Sequence, residues 1–528
     1  MLTAACAGYV LLCTWRFCKR FRTPLRRFPG PPADSLLWGN SPKMIKADPI
    51  ERTWVEQYGI TYTTPVMLGR YRLNTIDPRA VAHILSHVEN YPKPNHTKAM
   101  LRSVVGDGLL VVEDDAHRRQ KRIMYPCFSP SQIREVTPIF FETANQVSVW
   151  RSNASISPKG LEIDIYTLAA RAALDIIGLA GFGYRFNALE DQSNELFNAW
   201  HDVMQALTVS PLLGLLCQRF PWVRFLPLKA NTVIRTSVKT MNRIGMDLVR
   251  AKKAAIEEET FAYGIMRKTS IVGRDMLTAM IRANMAADVP HTQRMSTEEV
   301  IAQILTFLGA GHETSAAGLS WTLLSLAEHP EVQRKLRAEL SQVENDSPGM
   351  DALDSLPYLD MVMKESLRLH SPVPLTTRTA RRDDEIPLSR PVLDKNGKSH
   401  NSIRVQAGDS IGVEIRAMNN SKLLWGEDAY VFRPERWSES FVCANEIPGI
   451  YAHSLTFIGG ERTCIGYRFS IIDMKAILFT LIRSFEFAQA PGKEIGISTM
   501  VVARPFVKGE ESKGLQQPMI VSRVSKVV

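Results

Sequence analysis

The stretch Phe457-Ile-Gly-Gly-Glu-Arg-Thr-Cys-Ile-Gly466 sets one cysteine between glycines, two residues after an arginine, at the start of an apolar helical run. Gly460 and Gly466 allow backbone conformations that residues with side chains avoid, so the turn can approach something flat and bulky. The run that follows, through Ile471 and Leu478, predicts a helix whose N-terminal amides point back at the sulfur of Cys464. Those amides and Arg462 favour a thiolate over a thiol, and the thiolate is the form that ligates metal. A lone anionic sulfur suits the iron of a haem.

Phe457, Gly460, Arg462, Cys464 and Gly466 match, position for position, the pattern F-x-x-G-x-R-x-C-x-G, and on these residues the chain resembles the cytochrome P-450 family. Other motifs of that family run from about residue 28 to the C-terminal end. The resemblance implies a mainly α fold with smaller β-sheets (α+β), with a long central oxygen-binding helix over haem b. It also implies Cys464 as the axial thiolate, with Phe457 and Arg462 beside the cofactor. Thiolate ligation pushes electron density onto the iron and favours O–O cleavage.

Within 528 residues no repeat, low-complexity linker or long charge block divides the chain, which predicts one catalytic domain over residues 41–528 behind a short leader. Apolar residues at 45% and charged residues at 22% are ordinary for a globular protein, so composition names no function. The net charge of +10 is largely local, because Arg16, Lys19, Arg20, Arg22, Arg26 and Arg27 lie together with no acid among them. A nucleic-acid surface would interleave basic residues with aromatics on a folded face, whereas this cluster abuts a greasy N-terminus. Seven cysteines, irregularly spaced and without a C-x-x-C pair, argue against a disulfide framework or a zinc site and fit a cytosol-facing domain.

Met1 to Trp15 is uncharged and precedes the basic cluster, the reverse of a secretory signal peptide. Residues 1–15 read as an uncleaved membrane anchor, followed by a basic and proline-rich hinge over residues 16–40 that ends the positive side in the cytoplasm. The resemblance to fungal microsomal members places the protein at the endoplasmic reticulum membrane. Thr61 to Met67 and Arg70 to Ile76 predict a hairpin around Leu68-Gly69. The basic helix at His117-Arg-Arg-Gln-Lys-Arg122 stands where the family carries W-x-x-x-R against a haem propionate, so the resemblance gives that role to His117 and Lys121. Arg118, Arg119 and Arg122 read either as a solvated face or as a dock for an acidic redox partner. Residues 197 to 228, rich in aromatics, read as core by default and, by resemblance, as the lid over the substrate path.

Ser296-Thr-Glu-Glu299 is a capping box that opens a helix lasting to His329-Pro330. Gly309 and Gly311 each cost ~1 kcal/mol relative to alanine inside it, so something large packs there or the helix opens. Ala310, Gly311, Glu313, Thr314 and Ser315 complete the family's [AG]-G-x-[DE]-T-[TS], which implies oxygen binding and proton delivery by Glu313 and Thr314. Glu365 and Arg368 share a helix face. By resemblance Arg436 joins them in a buried network, Arg378 is another propionate partner, and Leu110, Ala310, Val373, Leu375 and Val501 line an apolar pocket.

The resemblance therefore implies a monooxygenase that inserts one atom of O2 into a lipophilic small molecule, such as a terpenoid or similar secondary metabolite. Electrons would come from NADPH-cytochrome P-450 reductase, with cytochrome b5 as a further donor, since this chain shows no nucleotide or flavin fingerprint. Two alternatives stand beside it: a haem-thiolate isomerase or dehydratase that does not use O2, and a haem-based binding or sensor protein. The intact acid-alcohol pair argues against the first.

Overall fold

The computed structural model describes residues 23–45, 50–153, 160–209, 216–217, 220–263, 275–285, 294–439, 444–499 and 501–524. The expected anchor, residues 1–15, and most of the basic cluster lie outside these. Among the described residues no helix is long and apolar enough to cross a membrane. Helices dominate and the strands form four small sheets, a mainly α, α+β architecture. The chain divides into two compact units, one built from residues 1–94, 373–430 and 441–463, the other from 95–372, 431–440 and 464–528.

The first unit holds a four-stranded sheet in the order β1 (Thr61–Val66), β2 (Arg70–Thr75), β7 (Ser410–Val413), β4 (Thr376–Thr379), and a two-stranded sheet of β5 (Asp384–Leu393) and β6 (Ser399–Val405). β1 and β2 pair antiparallel from Thr61 opposite Thr75 to Val66 opposite Arg70. A single turn joins them, with Leu68 and Gly69 at positive φ, 60° and 66°. The hairpin is not isolated, because β2 also pairs in parallel with β7. That partner lies hundreds of residues downstream, beyond the reach of local pattern. The proline-rich stretch is part of this unit: Thr63 N–H donates to the Pro29 carbonyl at 2.8 Å and Thr63 Oγ1 to the Phe28 carbonyl at 3.1 Å.

The second unit is organised around the central helix Thr297–Glu328. Ser296 caps it by accepting from Glu299 N–H, while the Glu299 carboxylate accepts from Ser296 N–H, satisfying donors that a helix start otherwise leaves unpaired. Most of the helix is buried on all sides. The helix Tyr467–Ser484, which begins three residues after Cys464, packs across it: Ser315 Oγ and Ser470 Oγ are 3.3 Å apart, and a Cβ on Gly318 would sit 2.8 Å from Met474 Sδ. Two small sheets complete the unit, β3 (Leu161–Asp164), β11 (Pro518–Arg523) and β8 (Phe485–Gln489) in one, β9 (Ile495–Ser498) and β10 (Arg504–Val507) in the other.

Candidate active site

In the second unit the central helix is buried from Val300 to Leu326 except where Ala310, Gly311 and Thr314 keep accessible surface. These residues, at i, i+1 and i+4, form one open face in the middle of an otherwise enclosed helix. Gly309 explains how its other side is closed: a Cβ there would lie 2.0 Å from the indole of Trp200, on the helix Glu195–Val209. The glycines therefore admit a large neighbour, and the helix does not open. A Cβ on Gly311 would meet Ile177 at 3.1 Å.

Trp200 also reaches Glu313, donating from Nε1 to Oε1 at 2.9 Å. Tyr166 OH donates to Oε2 at 3.1 Å, Arg504 Nε lies 3.2 Å from Oε2, and His312 Nε2 is 3.8 Å from Oε1. Burial alone would raise the Glu313 pKa, but the Arg504 charge, the neighbouring imidazole and the two hydrogen bonds outweigh it and hold the carboxyl below its usual range. Burial pushes His312 down, and its Nδ1–H donates to the Leu308 carbonyl at 2.5 Å. Burial and the Glu313 charge together push the Tyr166 phenol well up, so it remains a donor. Thr314 Oγ1 donates to the Ala310 carbonyl at 2.6 Å, one turn back.

Cys464 keeps accessible surface, yet enough protein surrounds it that burial pushes its thiol up. The Gly466 N–H and the charge of Lys121 act in the opposite direction. A backbone donor and a cation thus act toward the thiolate, as the sequence leads one to expect of this turn, while burial acts toward the thiol. A bound metal deprotonates a coordinating thiol outright, so ligation would supply what the protein field does not. His117 and Lys121, one turn apart on the helix Asp114–Met124, are buried and half-buried on its inner face. Arg118 and Arg122 are exposed, but Arg119 turns inward to Glu299 and the Arg294 carbonyl, which removes it from a docking surface.

Glu365, Arg368 and Arg436 are all fully buried and meet: Arg368 donates to both carboxylate oxygens at 2.9 and 2.8 Å and Arg436 Nε to Oε1 at 3.1 Å. Arg433 N–H and Trp437 Nε1 add bonds of 3.1 and 3.2 Å. Leu110 is exposed in a loop whose Leu109 N–H donates to Gln303 Oε1 at 3.0 Å, and Val501 packs on Ala317, Trp321, Leu324 and Val502. The remaining candidates belong to the first unit. There Arg378 is buried and donates to Thr376 Oγ1 and the Thr377 carbonyl at 2.5 and 2.9 Å, Phe457 is buried against Tyr451, and Arg462, Val373 and Leu375 are half-buried. Arg504, Tyr166 and the Trp200–Glu313 bond were missed from sequence, because each comes to the helix from a distant stretch with no motif of its own.

The donor set fits haem: the exposed sulfur of Cys464 with a backbone N–H toward it, and an open helix face with small residues, Ala310 and Gly311, where bulk would obstruct a flat ring. Sequence comparison agrees, since the family described as Cytochrome P450 matches residues 29–506. The chain belongs to the cytochrome P450 family and is a monooxygenase of that family, whose cofactor is haem b on a cysteine thiolate and whose members use O2, lipophilic substrates and a redox partner. It is 43% identical over 509 residues to cytochrome P450 monooxygenase 205 of Postia placenta, which covers 94% of this chain and 93% of that protein. Cytochrome P450 monooxygenase 128 of the same fungus is 42% identical over 95% of this chain and 93% of its own length. Cytochrome P450 monooxygenase claP of Ampulloclitocybe clavipes is 36% identical over 96% and 95%.

Proposed function

We propose that this monooxygenase is membrane-anchored at the endoplasmic reticulum, takes electrons from NADPH-cytochrome P450 reductase, and oxidises a lipophilic, terpenoid-like secondary metabolite with Cys464 as the iron ligand. The observation that carries this reading is the open face at Ala310, Gly311 and Thr314, held to the Cys464 helix by the Ser315–Ser470 contact. Bound haem supplies the one-electron and O2 chemistry. The Gly466 N–H stabilises charge on the sulfur, and His117 and Lys121 offer donors to propionates. Glu313, ionised, draws protons inward. Thr314 holds a proton at Oγ1 beside the open face, and its hydroxyl delivers that proton by turning away from the Ala310 carbonyl.

Trp222 and Phe225, 61% and 80% exposed, with Leu226 and Leu228 beside them, support contact of this segment with lipid. The cytosolic orientation rests on the basic residues after the leader. N-glycan at the exposed Asn95 would overturn it, whereas Asn419, buried and bonded to Thr456 Oγ1 at 3.0 Å, is no acceptor in the folded protein.

Cys464→Ala tests the ligand: the carbon monoxide band of the reduced protein at the thiolate-type Soret position should vanish. Loss of that band on substituting Cys127 instead, with Cys464→Ala intact, would overturn the assignment. The back-bond of Thr314 favours a second reading, in which the threonine is merely structural and plays no part in proton delivery. Thr314→Ala separates the two. Under the relay reading it binds haem and substrate but releases more hydrogen peroxide and less product per NADPH, and under the second reading that ratio stays unchanged.

A further inference from the structure

The cluster around Glu313 contains more buried polar capacity than it uses. Gln517 is 0% exposed, and neither its Oε1 nor its Nε2 has a hydrogen-bond partner among the described residues. Arg504, 2% exposed, spends Nη2 on Met204 Sδ at 3.3 Å, and its Nη1 has no hydrogen-bond partner among the described residues. Backbone pairing brings these two side chains together. Phe506 bridges Leu515 antiparallel and Gln516 N–H donates to the Pro505 carbonyl at 3.1 Å, which sets Gln517 opposite Arg504, and opposed residues of an antiparallel pair project to the same side.

On its other edge Gln517 meets the start of the helix Ile165–Ile176. Its N–H donates to Asp164 Oδ1 at 2.8 Å and its carbonyl accepts from Ile165 N–H at 3.0 Å, one residue before the Tyr166 whose hydroxyl bonds Glu313. Asp164 in turn lines a surface cleft of about 470 Å³ with Glu162, Thr167 and Arg171. A buried amide with no partner at either end is costly, and proteins meet such groups with internal water that makes two to four hydrogen bonds.

We propose that Gln517 and Arg504 Nη1 hold internal water beside Glu313, and that this water is the proton uptake route from the Asp164 cleft to the active site. This rests on the relay reading of Glu313 and Thr314. Gln517 offers one acceptor and two donors, enough to order water without itself ionising. Arg504 cannot release its proton, and its charge is balanced by Glu313, so a proton crossing beside the pair meets no net positive charge. Each proton taken in at the cleft is accepted by the Glu313 carboxylate and handed on toward Thr314, which leaves Glu313 ionised again, and no electron moves along the route.

Gln517→Leu keeps the volume and removes every polar atom. In crystals of the haem-loaded wild type, ordered water bonded to Gln517 and Arg504 Nη1 is expected, and it should be missing in the variant. In reductase-supported turnover the variant should give several-fold less product per NADPH, more hydrogen peroxide and a larger solvent deuterium isotope effect, with its carbon monoxide band and substrate-induced spectral shift retained. Gln517→Glu, which can still bond water, should restore the coupling. A dry Gln517 in the wild-type crystal, or unchanged coupling and isotope effect in Gln517→Leu, overturns the route. Thr314→Ala run alongside tells the two failures apart: if it uncouples while Gln517→Leu does not, the relay stands and the route falls, and if neither uncouples, both fall. Should Gln517→Leu not fold, Gln517→Met takes its place in the same measurements.

Discussion

Two buried glutamates, Glu365 and Glu313, each sit against arginine, and their surroundings differ. At Glu365 two arginines, a backbone N–H and an indole N–H saturate the carboxylate, and no buried polar atom of that group lacks a partner among the described residues. At Glu313 one arginine, a phenol and an indole meet the carboxylate, polar atoms of Arg504 and Gln517 are left over, and the next residue in the chain, Thr314, keeps accessible surface. A saturated network in a low-dielectric interior is rigid and braces the fold. An unsaturated one admits water and protons, which is what chemistry on O2 needs.

The widest separation between the two should come from isosteric amides. Glu365→Gln leaves two buried guanidinium groups without a counter-charge and should cost about 3–5 kcal/mol, so haem-loaded protein should scarcely be recovered. Glu313→Gln should cost less, about 1–3 kcal/mol, because water beside Arg504 can take up part of the loss. Denaturant titration of both variants checks this, and equal losses would break the contrast.

Gly309→Ala sharpens the Glu313 side. Alanine gains ~1 kcal/mol of helix propensity, but its Cβ would collide with the Trp200 ring at 2.0 Å and overpacking costs about 1–3 kcal/mol, so a modest net loss of stability is expected in thermal unfolding. A net gain would show that Trp200 is not held against the helix.

Asp473 offers the smallest test. Buried on the Cys464 helix, with Ser315 as a hydrogen-bond neighbour, its carboxyl is raised by burial to about 7. Because the folded state holds this proton more tightly than the unfolded chain, the contribution of Asp473 to stability is fully present below pH ~4 and is lost as pH rises through 7. Wild type should therefore lose roughly 1 kcal/mol relative to Asp473→Asn between pH 6 and pH 8, read from paired unfolding curves. Parallel curves would place the carboxyl in contact with solvent.

Much of the site was legible because its parts are local. Ser296 and Glu299 announce the helix start by their spacing, and Gly309 and Gly311 announce a close approach by their cost. Ala310 to Ser315 share one helical register, so the open face follows from order along the chain. The approach at Gly309 was read as either a large neighbour or an opened helix, and only packing against Trp200 decided between them. The balance of effects at Cys464 was not legible, since the protein packed around its sulfur comes from residues that no local pattern specifies.

By itself the sequence determined the family, the mainly α architecture, the candidate iron ligand and the candidate acid-alcohol pair, because each is written in a short segment whose spacing carries its geometry. Only the tertiary structure decided what holds Glu313, that Arg119 turns inward, that β2 pairs with β7, and that Gln517 stands opposite Arg504. Those are pairings between residues far apart along the chain. Their partners are chosen by the shape and electrostatics of the folded interior, so no single stretch of sequence contains them.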